Sequence, residues 1–167
     1  MRVFLALFLC AAALSAADQS RRAPGFALPD SKMHFHDLYD YRGKPVILEF
    51  MQTTCPHCAA FVSVLQKIQQ KYGDKVVILA VVTYRDTNTT VAEYTAGHHI
   101  TYPILFDSGQ MTYSYTLEQH SDLPVVFLID TKGMIVSHYE YGPLTRDIFE
   151  GNALINEVER LVPAAKK

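Results

Sequence analysis

The chain has 167 residues, 49% of them hydrophobic and 19% charged, with a formal charge of -2 and a pI near 6.4. That length and apolar share fit one domain with its own core, and exclude both a disordered chain and a small scaffold dependent on several disulfides. The mildly acidic balance and the lack of a basic run exclude an electrostatic nucleic-acid partner.

Residues 1–17 stand apart. Arg2 is a minimal charged n-region, Val3 to Leu14 is an apolar h-region, and Ser15-Ala16-Ala17 offers small residues for cleavage. The apolar run is shorter than the roughly 18–20 residues a bilayer span requires. The segment therefore reads as a signal peptide, with an uncleaved membrane anchor as the alternative. Cys10 lies in the h-region behind the bulky Leu9, where a lipoprotein signal would carry a small residue, and is expected to leave with the signal. Arg21-Arg22 follows the apolar run and so is not a twin-arginine signal. The expectation is export, to a periplasm or beyond the cell, where disulfide chemistry is normal. Residues 18–23 are expected to be a flexible lead-in and 24–163 the folded domain.

Pro24 to Asp30 reads as a short extended segment that Met33 to Asp37 could pair with, and Leu38 to Lys44 as a connecting turn. Pro45 to Met51 is an apolar run broken only by Glu49, the pattern of a strand buried on both faces. From Pro56 the period changes. Phe61, Val64, Leu65, Ile68 and Tyr72 recur at three- and four-residue spacing and Gly73 supplies a stop, which predicts a helix. Lys75 to Thr83 is a second buried strand. Thr90-Val91-Ala92-Glu93 has capping-box spacing and predicts a helix through about Gly97. Tyr102 to Phe106 reads as a brief strand, Gln110 to Leu117 as a short helix, and Pro124 to Ile129 as a third buried strand. Met134 to Tyr141 alternates and pairs with that strand across a turn at Asp130 to Gly133. A terminal helix is expected from Arg146 or Gly151, with Leu154, Ile155, Val158, Leu161 and Val162 toward the core. Strands alternating with helices, then a hairpin and a helix, make an α/β domain with a mixed sheet.

The chemistry lies at the seam between the first buried strand and the first helix, in Cys55-Pro56-His57-Cys58. A helix's first turn has unpaired N–H donors that stabilise a thiolate. Pro56 suits the first helical position, where its missing N–H costs nothing, so Cys55 is expected at the N-cap with Cys58 one turn inside. Zinc would need a second ligand pair; Cys55 and Cys58 are the only cysteines beyond the signal, and His98, His99 and His120 are scattered, so no metal is expected. A purely structural disulfide spanning so few residues constrains the unfolded chain little. The strand–CxxC–helix setting favours a redox dithiol, Cys55–Cys58, that needs no other cofactor. Glu49, on a strand otherwise this apolar, should titrate high because burial disfavours its charge. An imidazole at His57 can stabilise the Cys55 thiolate by charge or hydrogen bonding. The tyrosines Tyr113, Tyr115, Tyr139 and Tyr141 read most simply as amphipathic packing.

These residues resemble the thioredoxin superfamily. Pro24-Gly25-Phe26-Ala27-Leu28-Pro29-Asp30, then Arg42-Gly43-Lys44-Pro45, resemble the TlpA-like exported branch on its AhpC/TSA–redoxin-type scaffold, as does the gap of about 65 residues between Cys58 and Pro124. The resemblance implies a thioredoxin-like fold: a central mixed sheet flanked by helices, with an N-terminal β extension and an inserted βα unit at about Val76 to Phe106. It implies that Cys55 attacks, that Cys58 resolves the mixed disulfide, and that Glu49 moves the proton of Cys58. Pro124 matches the family's cis-proline, and Leu123, Pro124 and Pro56 would meet a bound peptide. Glu49-Phe50 and the CPHC sequence locally resemble the DsbA-type oxidants, although the helical domain of those proteins has no counterpart here. His57 thus points to an oxidant and the scaffold to proteins that often reduce. The implied activity is thiol–disulfide exchange with cysteine-containing exported proteins, by a monomer that is recharged by a second redox partner, soluble or membrane-bound. Two other classes share the scaffold. A copper-binding chaperone could use Cys55, Cys58 and a nearby histidine, but such carriers resemble a CxxxC spacing that is absent here. A peroxiredoxin-like peroxidase wants Thr three residues before its cysteine, where this chain has Gln52.

Overall fold

The computed structural model describes residues 21–82, 85–116 and 122–163. The segment read as a signal peptide, with Cys10, and the positions Thr83, Leu117 and His120 lie outside the described residues. In chain order the elements are β1 (Arg21–Arg22), β2 (Ala27–Pro29), β3 (Phe35–Asp37), β4 (Val46–Met51), α1 (Pro56–Tyr72), β5 (Val77–Val82), α2 (Asn88–Gly97), β6 (Ile104–Phe106), α3 (Gln110–Thr116), β7 (Val125–Ile129), β8 (Met134–Glu140), α4 (Arg146–Glu150) and α5 (Ala153–Leu161).

The three apolar runs become the middle of one sheet, ordered β1-β8-β7-β4-β5-β6. β4, β5 and β6 are parallel, and β7 runs antiparallel to both β4 and β8. Strand alternation splits their side chains between two cores. Ile47 and Met51 of β4, with Ala80, Val82, Val126 and Leu128, pack under Phe61, Val64, Leu65 and Ile68 of α1 and Leu154 and Val158 of α5. Val46, Leu48 and Phe50, with Leu79, Val81, Val125 and Phe127, face the other way, toward Phe26, Leu38 and Tyr115. Phe50, Tyr115 and Phe127 meet there with ring centroids 5.1–5.9 Å apart. Both faces of β4 are therefore covered, which is why its sequence shows no polar alternation apart from Glu49. The mixed sheet with helices on its flanks is the architecture the sequence predicts.

The differences are local. Arg21 and Arg22, expected in a flexible lead-in, pair instead with Ile135 and Met134 at the sheet edge, and Ala23 is buried behind them. The backbone groups of an edge strand explain this: β8 has an unpaired side, and two residues of any polarity can satisfy it. Helix α2 begins one turn before the expected box. Its reciprocal cap joins Thr87 and Thr90, each hydroxyl accepting the other's backbone N–H, at the same spacing. The C-terminal segment is two helices, because Gly151-Asn152 separates α4 from α5. The stretch read as an inserted βα unit is β5, α2 and β6, and it supplies the parallel edge of the sheet.

Candidate active site

β4 delivers the chain to the sheet edge and α1 carries it away, with the cysteines in the turn between them. Cys55 donates its backbone N–H to Gln52 O (3.1 Å), and its own carbonyl accepts the first helical bond from Ala59 (3.1 Å). Its extended backbone (φ -83°, ψ 116°) makes it the N-cap, and Pro56 follows at the first helical position as expected. In a cap, an acceptor side chain takes an otherwise unpartnered N–H of the first turn. Here the acceptor is sulfur: the Cys58 N–H donates to Cys55 Sγ at 3.1 Å. The two cysteines form a disulfide with Cα atoms 5.3 Å apart. They are not equivalent. Cys58 is wholly buried in the α1-side core, while Cys55 is half-buried and meets the surface.

The β7 end closes the other side. Leu123-Pro124 is a cis peptide bond. The Leu123 carbonyl oxygen lies 3.7 Å from Cys55 Sγ, and the Pro124 carbonyl accepts the Tyr141 N–H at 3.1 Å. Leu123 is therefore brought to the Cys55 sulfur and Pro124 is buried just behind it. Pro56 stays exposed on the same rim.

Glu49 sits in β4 between Ala80 of β5 and Val126 of β7, on the α1 face with Cys58. It is 1% exposed, and neither carboxylate oxygen has a hydrogen-bond partner among the described residues. Burial alone pushes its pKa up to about 8. The buried hydroxyls of Tyr94 and Tyr102 are likewise without partners there, and the Glu49 charge adds to the burial that pushes both phenols upward. Across the parallel register the neighbour of Glu49 is Ala80, the smallest side chain of β5.

His57 lies outside, stacked flat on Tyr141 with centroids 3.8 Å apart and planes at 17°. The Tyr141 hydroxyl donates to Glu150 Oε1 (2.9 Å), and Arg146 Nε donates to Glu150 Oε2 (2.7 Å). Tyr115 packs against Phe127, and Tyr139 lies on the α1-side core with its hydroxyl donating to Glu157; Tyr141 packs on Phe149 as well, and its stack with His57 is an addition to that reading. Spacing could not have found it: Tyr141 and Glu150 reach His57 from the far end of β8 and from α4.

A second feature the sequence did not disclose is the anchor of the active-site turn. Asp86, 9% exposed, accepts the Thr53 N–H (3.3 and 3.4 Å), the Thr53 hydroxyl, and the Thr90 hydroxyl (3.3 Å). It ties the turn before Cys55 to the start of α2. Asp86→Ala strands those donors and should lower stability by about 1–3 kcal/mol in urea unfolding. An unchanged midpoint would mean that water replaces the anchor.

The AhpC/TSA family model matches residues 20–138. The thiol-disulfide oxidoreductase ResA of Geobacillus kaustophilus (strain HTA426) is 29% identical over 145 residues, which cover 86% of this chain and 76% of that protein. Among solved structures, a Chlorobium tepidum protein provisionally described as the thiol:disulfide interchange protein DsbE superposes with a TM-score of 0.74 at 25% identity, over 87% of this chain and 99% of that one. The exposed lipoprotein thioredoxin of Streptococcus pneumoniae (strain TIGR4) superposes with a TM-score of 0.64 at 24% identity, over 83% of this chain and 100% of that one.

Proposed function

We propose that this chain, which belongs to the AhpC/TSA family and is a thiol–disulfide oxidoreductase on a thioredoxin-like fold, is exported and exchanges disulfides with the cysteines of other exported proteins. Arg2, the apolar run Val3 to Leu14 and the small residues Ser15-Ala16-Ala17 support export, as does the likeness to an exposed lipoprotein thioredoxin. The observation that carries the reading is the asymmetry of the two sulfurs: Cys55 Sγ caps α1 at the surface while Cys58 is sealed beneath it.

That asymmetry assigns an order. In the reduced protein the Cys55 thiolate, stabilised by the Cys58 N–H and the helix N-terminus, attacks a partner disulfide. An S–S bond forms between Cys55 and one partner sulfur, the partner's own S–S bond breaks, and its other sulfur leaves as a thiolate. Cys58 then gives its proton to Glu49 and attacks Cys55 Sγ, releasing the second partner sulfur and closing the Cys55–Cys58 disulfide. Two electrons have passed to the partner. Run backward, the same steps oxidise a partner dithiol. A carboxyl near pKa 8 can take and return a proton around neutral pH, the property a general acid–base needs. Leu123 offers its backbone to the bound peptide beside Cys55, with Pro124 and Pro56 on the same rim. The disulfide is the redox group, and a second redox partner resets it.

His57 adds a stabiliser for the thiolate, which favours the reduced form and makes the disulfide a stronger oxidant. Equilibration with glutathione buffers tests this. The potential should lie above the roughly -270 mV of thioredoxin, and the protein should catalyse insulin disulfide exchange. A potential at or below that value would overturn the oxidant direction, and no exchange at all would overturn the activity.

A further inference from the structure

The CPHC turn does not hold its histidine alone. His57 leaves α1 and lies flat on Tyr141, whose backbone N–H bonds the Pro124 carbonyl (3.1 Å) and whose ring also meets Phe149 (5.6 Å) in the core. Phe149 in turn packs edge-on against Phe61 of α1 at 5.1 Å. One ring thus bridges the turn that bears the cysteines, the Leu123-Pro124 loop and the helix below. Beyond it the Tyr141 hydroxyl donates to Glu150, which Arg146 also clasps.

We propose that Tyr141 and Glu150 are positioning residues for His57: the Tyr141 face fixes the imidazole beside Cys55, and the Glu150 carboxylate anchors the Tyr141 ring and places a negative charge behind it, so that together they set the potential of the Cys55–Cys58 pair. The inference rests on the reading that His57 stabilises the Cys55 thiolate. Its physical content is simple. An aromatic face attracts a cation laid over it, more so for the electron-rich ring of Tyr. Glu150 adds a full negative charge past the phenol, and hydrogen bonds from Arg146 and Tyr141, with the field of His57, hold its carboxyl below the usual range. Arg146 is the opposing cation in this group. It spends its charge on Glu150 at 2.7 Å, while Tyr141 lies between Glu150 and the His57 ring. A better-held imidazole stabilises the thiolate, the reduced form gains, and the disulfide becomes the stronger oxidant. No atom is transferred in this step; it shifts the balance of the two-electron, two-proton couple already described.

The sign of the Glu150 effect separates this from a direct field. A carboxylate acting straight on Cys55 would disfavour the thiolate, so its removal would raise the potential. Acting through His57, its removal lowers it. The experiment is a set of equilibrium potentials against glutathione for the whole protein and for Tyr141→Phe, Tyr141→Leu, Glu150→Gln, His57→Ala and the His57→Ala/Tyr141→Leu pair. Tyr141→Leu should shift the equilibrium three- to tenfold toward the disulfide, about 15–30 mV downward. Tyr141→Phe keeps the stack but loses the link to Glu150, and should shift it less in the same direction. Glu150→Gln should also lower the potential, and in the His57→Ala background the Tyr141 substitution should add nothing. Thermal unfolding of each variant shows that it is folded, and the Phe and Gln variants keep the test if Leu is not tolerated. A wild-type potential in the Tyr141 and Glu150 variants while His57→Ala shifts it would overturn the inference and leave the His57 reading intact. So would a Tyr141 effect that persists without His57, or a rise in Glu150→Gln. An unmoved potential in His57→Ala itself would overturn both.

Discussion

The native protein should lose stability between about pH 4.5 and pH 8, and Glu49→Gln should abolish that fall and slow disulfide exchange by about a hundredfold. The sign follows from proton counting. In the unfolded chain Glu49 titrates near 4.5, and in the folded chain burial holds its pKa near 8. Below 4.5 both states carry the proton and the group contributes nothing to the slope. Between the two values only the folded state keeps it, so each unit of pH favours unfolding by about 1.4 kcal/mol. Above 8 the full loss is present, about 5 kcal/mol as an upper order of magnitude for a fully buried carboxyl. Gln has nearly the same volume and no titration, so the difference between the two proteins across this range isolates the carboxyl, since the other ionisable groups are common to both. Urea unfolding at several pH values, with both proteins oxidised, reads it directly. Parallel curves would mean that the carboxyl finds water or a partner that the packing around Ala80 and Val126 does not provide. The kinetic arm is separate. If the stability difference appears but exchange is unchanged, Glu49 is a buried acid without a part in proton transfer.

Such a costly residue in a central strand is also the clearest case of what the chain declares before it folds. β4 was legible because both of its faces are covered, which removes polar alternation and leaves Glu49 as the one exception. The α1 start was legible because Cys55, Pro56 and the apolar spacing after Phe61 all act within one or two turns. Local rules suffice there. They fail where the decisive partner is distant: Arg21 and Arg22 find their place only when β8 has an edge to offer, and nothing within the segment says so. Asp86 reaches Thr53 across 33 positions, and its own neighbours suggest only the start of a helix. Tyr141 looked like one of several tyrosines on an amphipathic strand, and became part of the site because α4 turns Glu150 back toward it. The candidate reacting groups were therefore readable and the residues packed around them were not, since that packing is a tertiary property.

Cys58→Ser should trap a partner on Cys55, approaching about one per chain, whereas Cys55→Ser should trap almost none. With Cys58 gone, Cys55 can still attack a disulfide, but the second step has no nucleophile and the mixed disulfide persists. With Cys55 gone, the remaining sulfur is fully buried on the inner face of α1 and cannot reach a partner's bond. Folding does not confuse the comparison at position 55. The Cys58 N–H needs an acceptor at the N-cap, and Ser is among the best residues for that place, so the turn keeps its cap. At position 58 the cost is a hydroxyl in an apolar core, about 1–3 kcal/mol if it finds no partner, which a domain of this size can absorb and which unfolding measurements would register. Gel shifts under non-reducing conditions, with a small aromatic disulfide as a second, size-independent probe, measure the trapping. Equal trapping by both variants would mean that the helix start opens far enough to expose Cys58, and the order of attack would then no longer follow from burial. Trapping by Cys55→Ser alone would reverse the roles of the two sulfurs outright.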